Sequence, residues 1–231
     1  MQQVLDTRPD EALALQARYW LAEAAYRQAL TSPQAELHYG RAHQLLEQLA
    51  AELPQERAPW MAMIPLRQAQ ILAQQKRWAE ASEVAESVTR DFPDFAQRHE
   101  ADYVIGRALA SQALFAEARE AYRRVVHSPS GERTETAAMA QWMIGETYFH
   151  QESYALALRE YLRVEILYAY PRWQAAALLQ AGKCHEQLGE WQAAADLYRR
   201  LVDDYRETEF SDEGRRRLDA ARARLAQRPS N

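Results

Sequence analysis

Five alanines frame this chain: Ala42, Ala81, Ala118, Ala157 and Ala194, spaced by 39, 37, 39 and 37 residues. Three residues before each stands an aromatic: Tyr39, Trp78, Phe115, Tyr154 and Trp191. Four residues after come Leu46, Ala85, Tyr122, Tyr161 and Tyr198, and seven after come Leu49, Val88, Val125, Val164 and Leu201. Such offsets bring all of these onto one face of an α-helix. An earlier column holds Gly106, Gly145 and Gly182, each 12 residues before its alanine, with Ala69 in the same slot before Ala81. Each unit therefore predicts two helices, the first carrying a small residue where the second approaches. Helix axes come within about 8–10 Å, the near end of which needs small contact residues. A leucine at Ala118 or Ala157 would overpack the hairpin, at a cost of roughly 1–3 kcal/mol.

The breaks fit this register. Pro54 and Pro93 each lie 12 residues beyond their alanine, and Pro129 and Pro171 lie 11 and 14 beyond theirs. Proline cannot continue a helix, so each reads as the end of a second helix. Thr134 or Thr136, and Ser211, are candidate helix caps. The first unit is irregular: Ala22 to Ala42 spans 20 residues instead of 12, predicting a longer first helix and turn around Thr31-Ser32-Pro33. Pro65 falls near the start of the first helix of the second unit. Ser211 to Gln227 reads as one more helix, a solvating cap with Leu218, Ala221 and Leu225 on a narrow apolar stripe. The expectation is an all-α solenoid of about five hairpins plus this cap, about eleven helices in one domain over residues 1–231. Its units run over 10–54, 58–93, 99–129, 136–171 and 174–206, with the cap at 211–227.

Composition agrees, being rich in the helix formers Ala, Leu, Gln, Glu and Arg. A net charge of −5 argues against nucleic acid as a partner. Met1 to Asp10 has no basic start and no apolar core, so it does not read as a signal peptide. No apolar run approaches the ~18 residues of a membrane span. As it stands, the sequence points to the cytoplasm, or to the periplasm and envelope if a leader has been removed.

His185-Glu186 lacks the second histidine of a zinc-protease helix. Cys184 and His185 are neighbours, and neighbours on a helix point about 100° apart, so they cannot pair as thiolate and imidazolium. Cys184 reads as a small buried residue. His38 and His43 lie five apart, a poor metal spacing. The glycines are dispersed rather than gathered into a phosphate loop. No enzyme activity, metal or cofactor is expected. Arg215-Arg216-Arg217, among Asp212, Glu213 and Asp219, reads as a solvated face that could also meet phosphate or an acidic partner.

The small-residue-to-alanine spacing, the aromatic three before, the tyrosine four after and the terminal proline together resemble the tetratricopeptide repeat, though these units are longer than its usual length. Phe92-Pro93-Asp94-Phe95, Tyr170-Pro171-Arg172-Trp173 and Asp204 to Phe210 with its Arg-rich helix are similar to the bacterial envelope branch of that family, the Tol–Pal-associated and outer-membrane-assembly type. Over residues 12 to 226 the resemblance implies a protein scaffold or adaptor that binds a partner segment in a concave groove lined by first helices. The alternative is a structural module that self-associates, as a homo-oligomer, or sits within an envelope complex. Carried over position by position, the groove residues are Tyr103, Arg107 and Ala110; Trp142, Glu146, Phe149 and His150; Leu179, Lys183 and Glu186; and Leu66 and Gln70. Tyr103, Trp142, Phe149 and Leu179 form its apolar strip. The family's early tryptophan slot holds Asp102, Gln141 and Leu178, with an aromatic one residue later at Tyr103 and Trp142; those aromatics also suit packing between units. The Lys and Asn of a chaperone-tail carboxylate clamp are absent, the matching places holding Tyr103, Arg107, Trp142 and Glu146.

Overall fold

The computed structural model describes residues 11–54 and 57–227. Among these are eleven α-helices and one short 3-10 turn, Pro59–Ala62. The chain divides into two compact units, one ending at Gln112 and the other beginning at Ala113. The first holds α1 (Glu11–Ala29), α2 (Ala35–Ala51), α3 (Met63–Gln74), α4 (Trp78–Asp91) and α5 (Arg98–Ser111). The second holds α6 (Phe115–Val126), α7 (Glu135–His150), α8 (Tyr154–Leu167), α9 (Pro171–Gln187), α10 (Trp191–Asp204) and α11 (Ser211–Ala226). The architecture is the all-α helical repeat that the register predicts.

Register residues take the places that periodicity demands. Trp78, Phe115, Tyr154 and Trp191 are the first residues of α4, α6, α8 and α10. The alanine and its partners at four and seven residues on are buried in every repeat, from Ala42, Leu46 and Leu49 to Ala194, Tyr198 and Leu201. Each of these helices thus presents one apolar stripe to its neighbours, and burial of that stripe holds the short helices together. Where a tyrosine follows, the facing helix gives way: a Cβ on Gly145 would lie 2.6 Å from Tyr161 Cε1, and one on Gly182 would lie 2.3 Å from Tyr198 Cε1.

α1 is the longest helix, at 19 residues, as the wide first spacing predicts. Pro54, Pro93 and Pro129 follow the ends of α2, α4 and α6. Pro171 instead opens α9, where a missing N–H is harmless and the fixed φ suits the first turn. Thr134 caps α7, its hydroxyl accepting from Ala137 N at 3.2 Å. Ser211 does not cap: it is already the first residue of α11, with Phe210 in the capping position, and its buried Oγ has no hydrogen-bond partner.

The turns inside the repeats show a feature that the sequence hides. Lys76, Ala113, Glu152 and Gly189 have φ of 60°, 59°, 57° and 74°. Each stands five residues before its alanine. The first helix thus ends in a left-handed residue that reverses the chain, yet only one of the four is the glycine such a position favours.

Each unit holds a cluster of buried apolar residues. In the first, Leu15, Tyr19, Leu46, Leu49, Ile64 and Ile71 pack together. In the second, Leu178, Leu179, Tyr198, Leu201 and Leu218 join α9, α10 and α11, so the last helix is docked by its predicted apolar stripe.

Candidate functional site

Within the second unit, the faces of α7, α9 and α11 border a cleft of about 370 Å³, lined by Trp142, Arg172, Trp173, Ala176, Leu179, Gln180, Lys183, Phe210 and Glu213. It exists because helical period aligns Ala176, Leu179, Gln180 and Lys183 on one stripe of α9. Trp142 packs against Trp173 with ring centroids 5.9 Å apart and against Tyr161 at 6.1 Å. Trp173 Nε1 donates to Glu135 at 2.9 Å, which fixes the ring that forms one wall. Arg172 lies over the same ring at 5.5 Å and pairs with Glu209.

Polar groups around the cleft are cross-linked between helices. The Tyr161 hydroxyl donates to Glu146, and Gln180 Nε2 donates to the same carboxylate at 2.8 Å. One step along, the Tyr198 hydroxyl donates to Glu186 at 2.8 Å, and Arg217 donates to that glutamate at 2.7 Å. Lys183 pairs with Glu213 at 3.0 Å. Burial and the adjoining Glu146 push the Tyr161 hydroxyl far above its ordinary range. Burial and Glu186 do the same at Tyr198, against an opposing pull from Arg217.

Of the twelve expected groove residues, the structure brings Trp142, Leu179 and Lys183 to this cleft, Leu179 being mostly buried in its floor. Glu186 lines an adjacent one. Glu146 serves the cross-links just described. Phe149 packs edge-on against Tyr154 at 5.3 Å, and the exposed His150 stacks on Phe115 at 5.9 Å. Tyr103 and Arg107 lie in the first unit. Tyr103 is buried, and burial raises its hydroxyl to about 12. Arg107 lies over the Trp78 ring at 5.1 Å. Leu66 and Gln70 line a separate, polar cleft of the first unit with Tyr19, Trp20 and the buried Glu23, which accepts from Arg27 and Arg67, each at 2.8 Å. Trp173 and Phe210 are contacts that the family positions do not reach. Trp173 sits in the Tyr-Pro-Arg-Trp link and Phe210 just before α11, and their signal was an aromatic beside each chain break.

Cys184 is buried, and burial with the charge of Glu146 raises its thiol to about 12. It is not a poised nucleophile. Among the described residues no group of three potential metal ligands stands together, and no helix is long and apolar enough to cross a membrane.

Helix order, register and inter-helix clefts define a helical-repeat protein. Models of the tetratricopeptide repeat match residues 66–133, 103–172 and 176–208, so the chain carries tetratricopeptide repeats through these spans. No curated protein matches significantly. Among solved structures, the apo form of RapI is similar with a TM-score of 0.70 and 13% identity, covering 92% of this chain and 83% of that one. BtubC (BKLC) from P. vanneervenii follows at TM-score 0.63 and 16% identity, covering 94% of each chain. Nearly identical TPR-like repeats from Podosopora anserina reach 0.62 at 16% identity, over 95% of this chain and 100% of theirs. At such identities the likeness is one of fold.

Proposed function

We propose that this chain is a non-enzymatic protein-interaction scaffold whose second unit holds a segment of a partner protein in the cleft between α7, α9 and α11. Tetratricopeptide repeats generally act as such scaffolds. The observation that carries the reading is the cleft itself: Trp142, Trp173, Ala176, Leu179 and Phe210 offer apolar surface, and Arg172, Gln180, Lys183 and Glu213 edge it with polar groups. Aromatic anchors beside a charged rim are the usual makings of a peptide hot spot. The test is quantitative capture of partners from lysate by the wild type and by Trp173→Ala/Lys183→Glu, with circular dichroism to establish that both are folded. Recovery of bound proteins should drop at least several-fold in the variant; equal recovery overturns the cleft.

A second reading has its own observation. Ile166 and Leu167, adjacent at the end of α8, are 72% and 63% exposed, more than any other large apolar residues of the second unit described. They favour an assembly module that self-associates, as a subunit of a larger envelope complex would; the envelope-type links at Phe92-Pro93 and Tyr170-Pro171 suit the same role. Sedimentation of wild type and Ile166→Ser/Leu167→Ser over a wide concentration range decides it. A strict monomer throughout removes self-association.

A further inference from the structure

A second cleft continues from the first along α9 and α11. It measures about 400 Å³ and is lined by Glu186, Trp191, Glu213, Arg216, Arg217, Ala220 and Arg224. Glu213 lines both clefts, so they meet there. Along α9 the lining runs from Leu179 and Lys183 to Glu186; along α11 it runs from Phe210 and Glu213 to Arg224.

The charges of this second cleft are unequally committed. Both carboxylates are used internally. Glu186 takes Arg217 at 2.7 Å and the Tyr198 hydroxyl at 2.8 Å. Glu213 takes Arg217 at 3.0 Å and Lys183 at 3.0 Å. Burial opposes the charge on Glu213, yet hydrogen bonds from Arg217 and Lys183 hold its carboxyl below the usual range. Arg216 and Arg224 are different. Both are exposed, and among the described residues neither has a carboxylate partner. Arg215, by contrast, is paired with Asp212 at 3.3 Å.

Geometry makes the two free guanidiniums a pair. Arg216, Ala220 and Arg224 are spaced by four, one stripe along α11. Eight residues of helix set the two arginines about 12 Å apart. Ala220 leaves room between them. Arg224 lies over the Trp191 ring at 5.7 Å, so its guanidinium is held against an apolar wall. In a chain of net charge −5, this is a local reversal of sign.

Resting on the reading that a partner segment occupies the first cleft, we propose that the same segment continues into the second and is acidic there, with carboxylates meeting Arg216 and Arg224. About 12 Å corresponds to roughly four residues of extended chain or two turns of helix. The recognised chemistry is then an apolar anchor for Trp142, Trp173 and Leu179, followed by two acidic side chains that far apart. Guanidinium forks bind carboxylates bidentately, giving register as well as attraction.

The test is selection from a displayed library of random peptides about twelve residues long, enough to span both clefts when extended. Wild type, Arg216→Gln/Arg224→Gln and Arg215→Gln/Arg222→Gln are compared. The last loses equal charge from α11 residues outside both clefts. Wild type and the off-cleft control should enrich apolar residues followed by Asp or Glu. The Arg216/Arg224 variant should keep the apolar preference and lose the acidic one. The selected peptide, measured by fluorescence anisotropy, should bind that variant about tenfold more weakly, and the difference should shrink at high salt. Apolar enrichment with no acidic preference overturns this inference and leaves the first cleft standing. Equal acidic enrichment by all three proteins overturns it too, because bulk charge would then suffice. No enrichment of any kind overturns both readings.

Discussion

In the hairpin of α3 and α4, the register slots 12 residues before and four after the repeat alanine hold Ala69 and Ala85, both fully buried. In the hairpins of α7/α8 and α9/α10 the same slots hold Gly145 with Tyr161 and Gly182 with Tyr198. Packing to native density is met in both ways, by two medium-small residues or by none and one large one. The second solution does more. A ring laid across a glycine extends beyond the core, and its hydroxyl emerges on the far helix to hold Glu146 or Glu186. Core packing and the polar rim of the clefts are therefore one structure in the second unit. In the α3/α4 hairpin no tyrosine spans the pair, and the cleft of the first unit is organised by Glu23 with Arg27 and Arg67.

Truncating the large member should have the largest effect on that contrast. Tyr198→Ala removes a fully buried ring and its bond to Glu186, and should destabilise the protein by about 3–5 kcal/mol. Ala85→Gly should cost only about 1 kcal/mol, the loss of helix propensity. Urea unfolding followed by circular dichroism measures both, and similar values would erase the distinction. Next comes the small member. Gly182→Ala should destabilise by roughly 1–3 kcal/mol although alanine is the better helix former, because its Cβ meets the Tyr198 ring rather than a flexible chain end. Ala69→Gly should cost about 1 kcal/mol with no compensating relief. If Gly182→Ala stabilised the protein, the ring would be free to move and the two hairpins would be equivalent.

The smallest effects test what the hairpins share. Glu152→Gly in the second unit and Lys76→Gly in the first should each stabilise by up to about 1 kcal/mol, since a left-handed backbone disfavours a side chain. Gly189→Ala should destabilise by about the same amount. Thermal unfolding of the three variants reads this directly. A destabilised Glu152→Gly would mean its side chain makes a compensating contact.

These comparisons also show what could be read in the amino-acid sequence. The hairpins were legible because each contact surface repeats a size pattern, small against aromatic, and size is written in residue identity. Left-handed turns were hidden because Lys76, Ala113 and Glu152 are not residues that advertise them; tertiary packing of the flanking helices overrides their preference. The cleft was half legible. Helical period puts Trp142, Leu179 and Lys183 on first-helix faces, but it cannot say how deeply a face is covered, and Tyr103 and Leu179 are mostly buried. Trp173 was missed because the expected unit begins at residue 174, whereas α9 opens at Pro171 and carries Trp173 three residues before Ala176 on the same stripe; Phe210 lies just before α11, outside its register. That Arg216 and Arg224 have no carboxylate partner among the described residues could not be found either, since the eight charged side chains of α11 are interchangeable until distances are known.

The tyrosines laid across the glycines make the folded chain refuse to ionise. Below about pH 10 a phenol is neutral whether the protein is folded or not, and their environment leaves no trace. Above it, the unfolded chain releases protons that Tyr161 and Tyr198 retain, with Tyr103 and Tyr168 following only at about 12. The unfolded state then binds fewer protons than the native one, so stability falls as pH rises. An alkaline spectrophotometric titration should therefore give two populations: surface phenols that ionise gradually and reversibly, and interior ones that stay silent until the helices part and then appear together. The phenolate band of this protein would thus report, without any added label, the moment its repeats come apart.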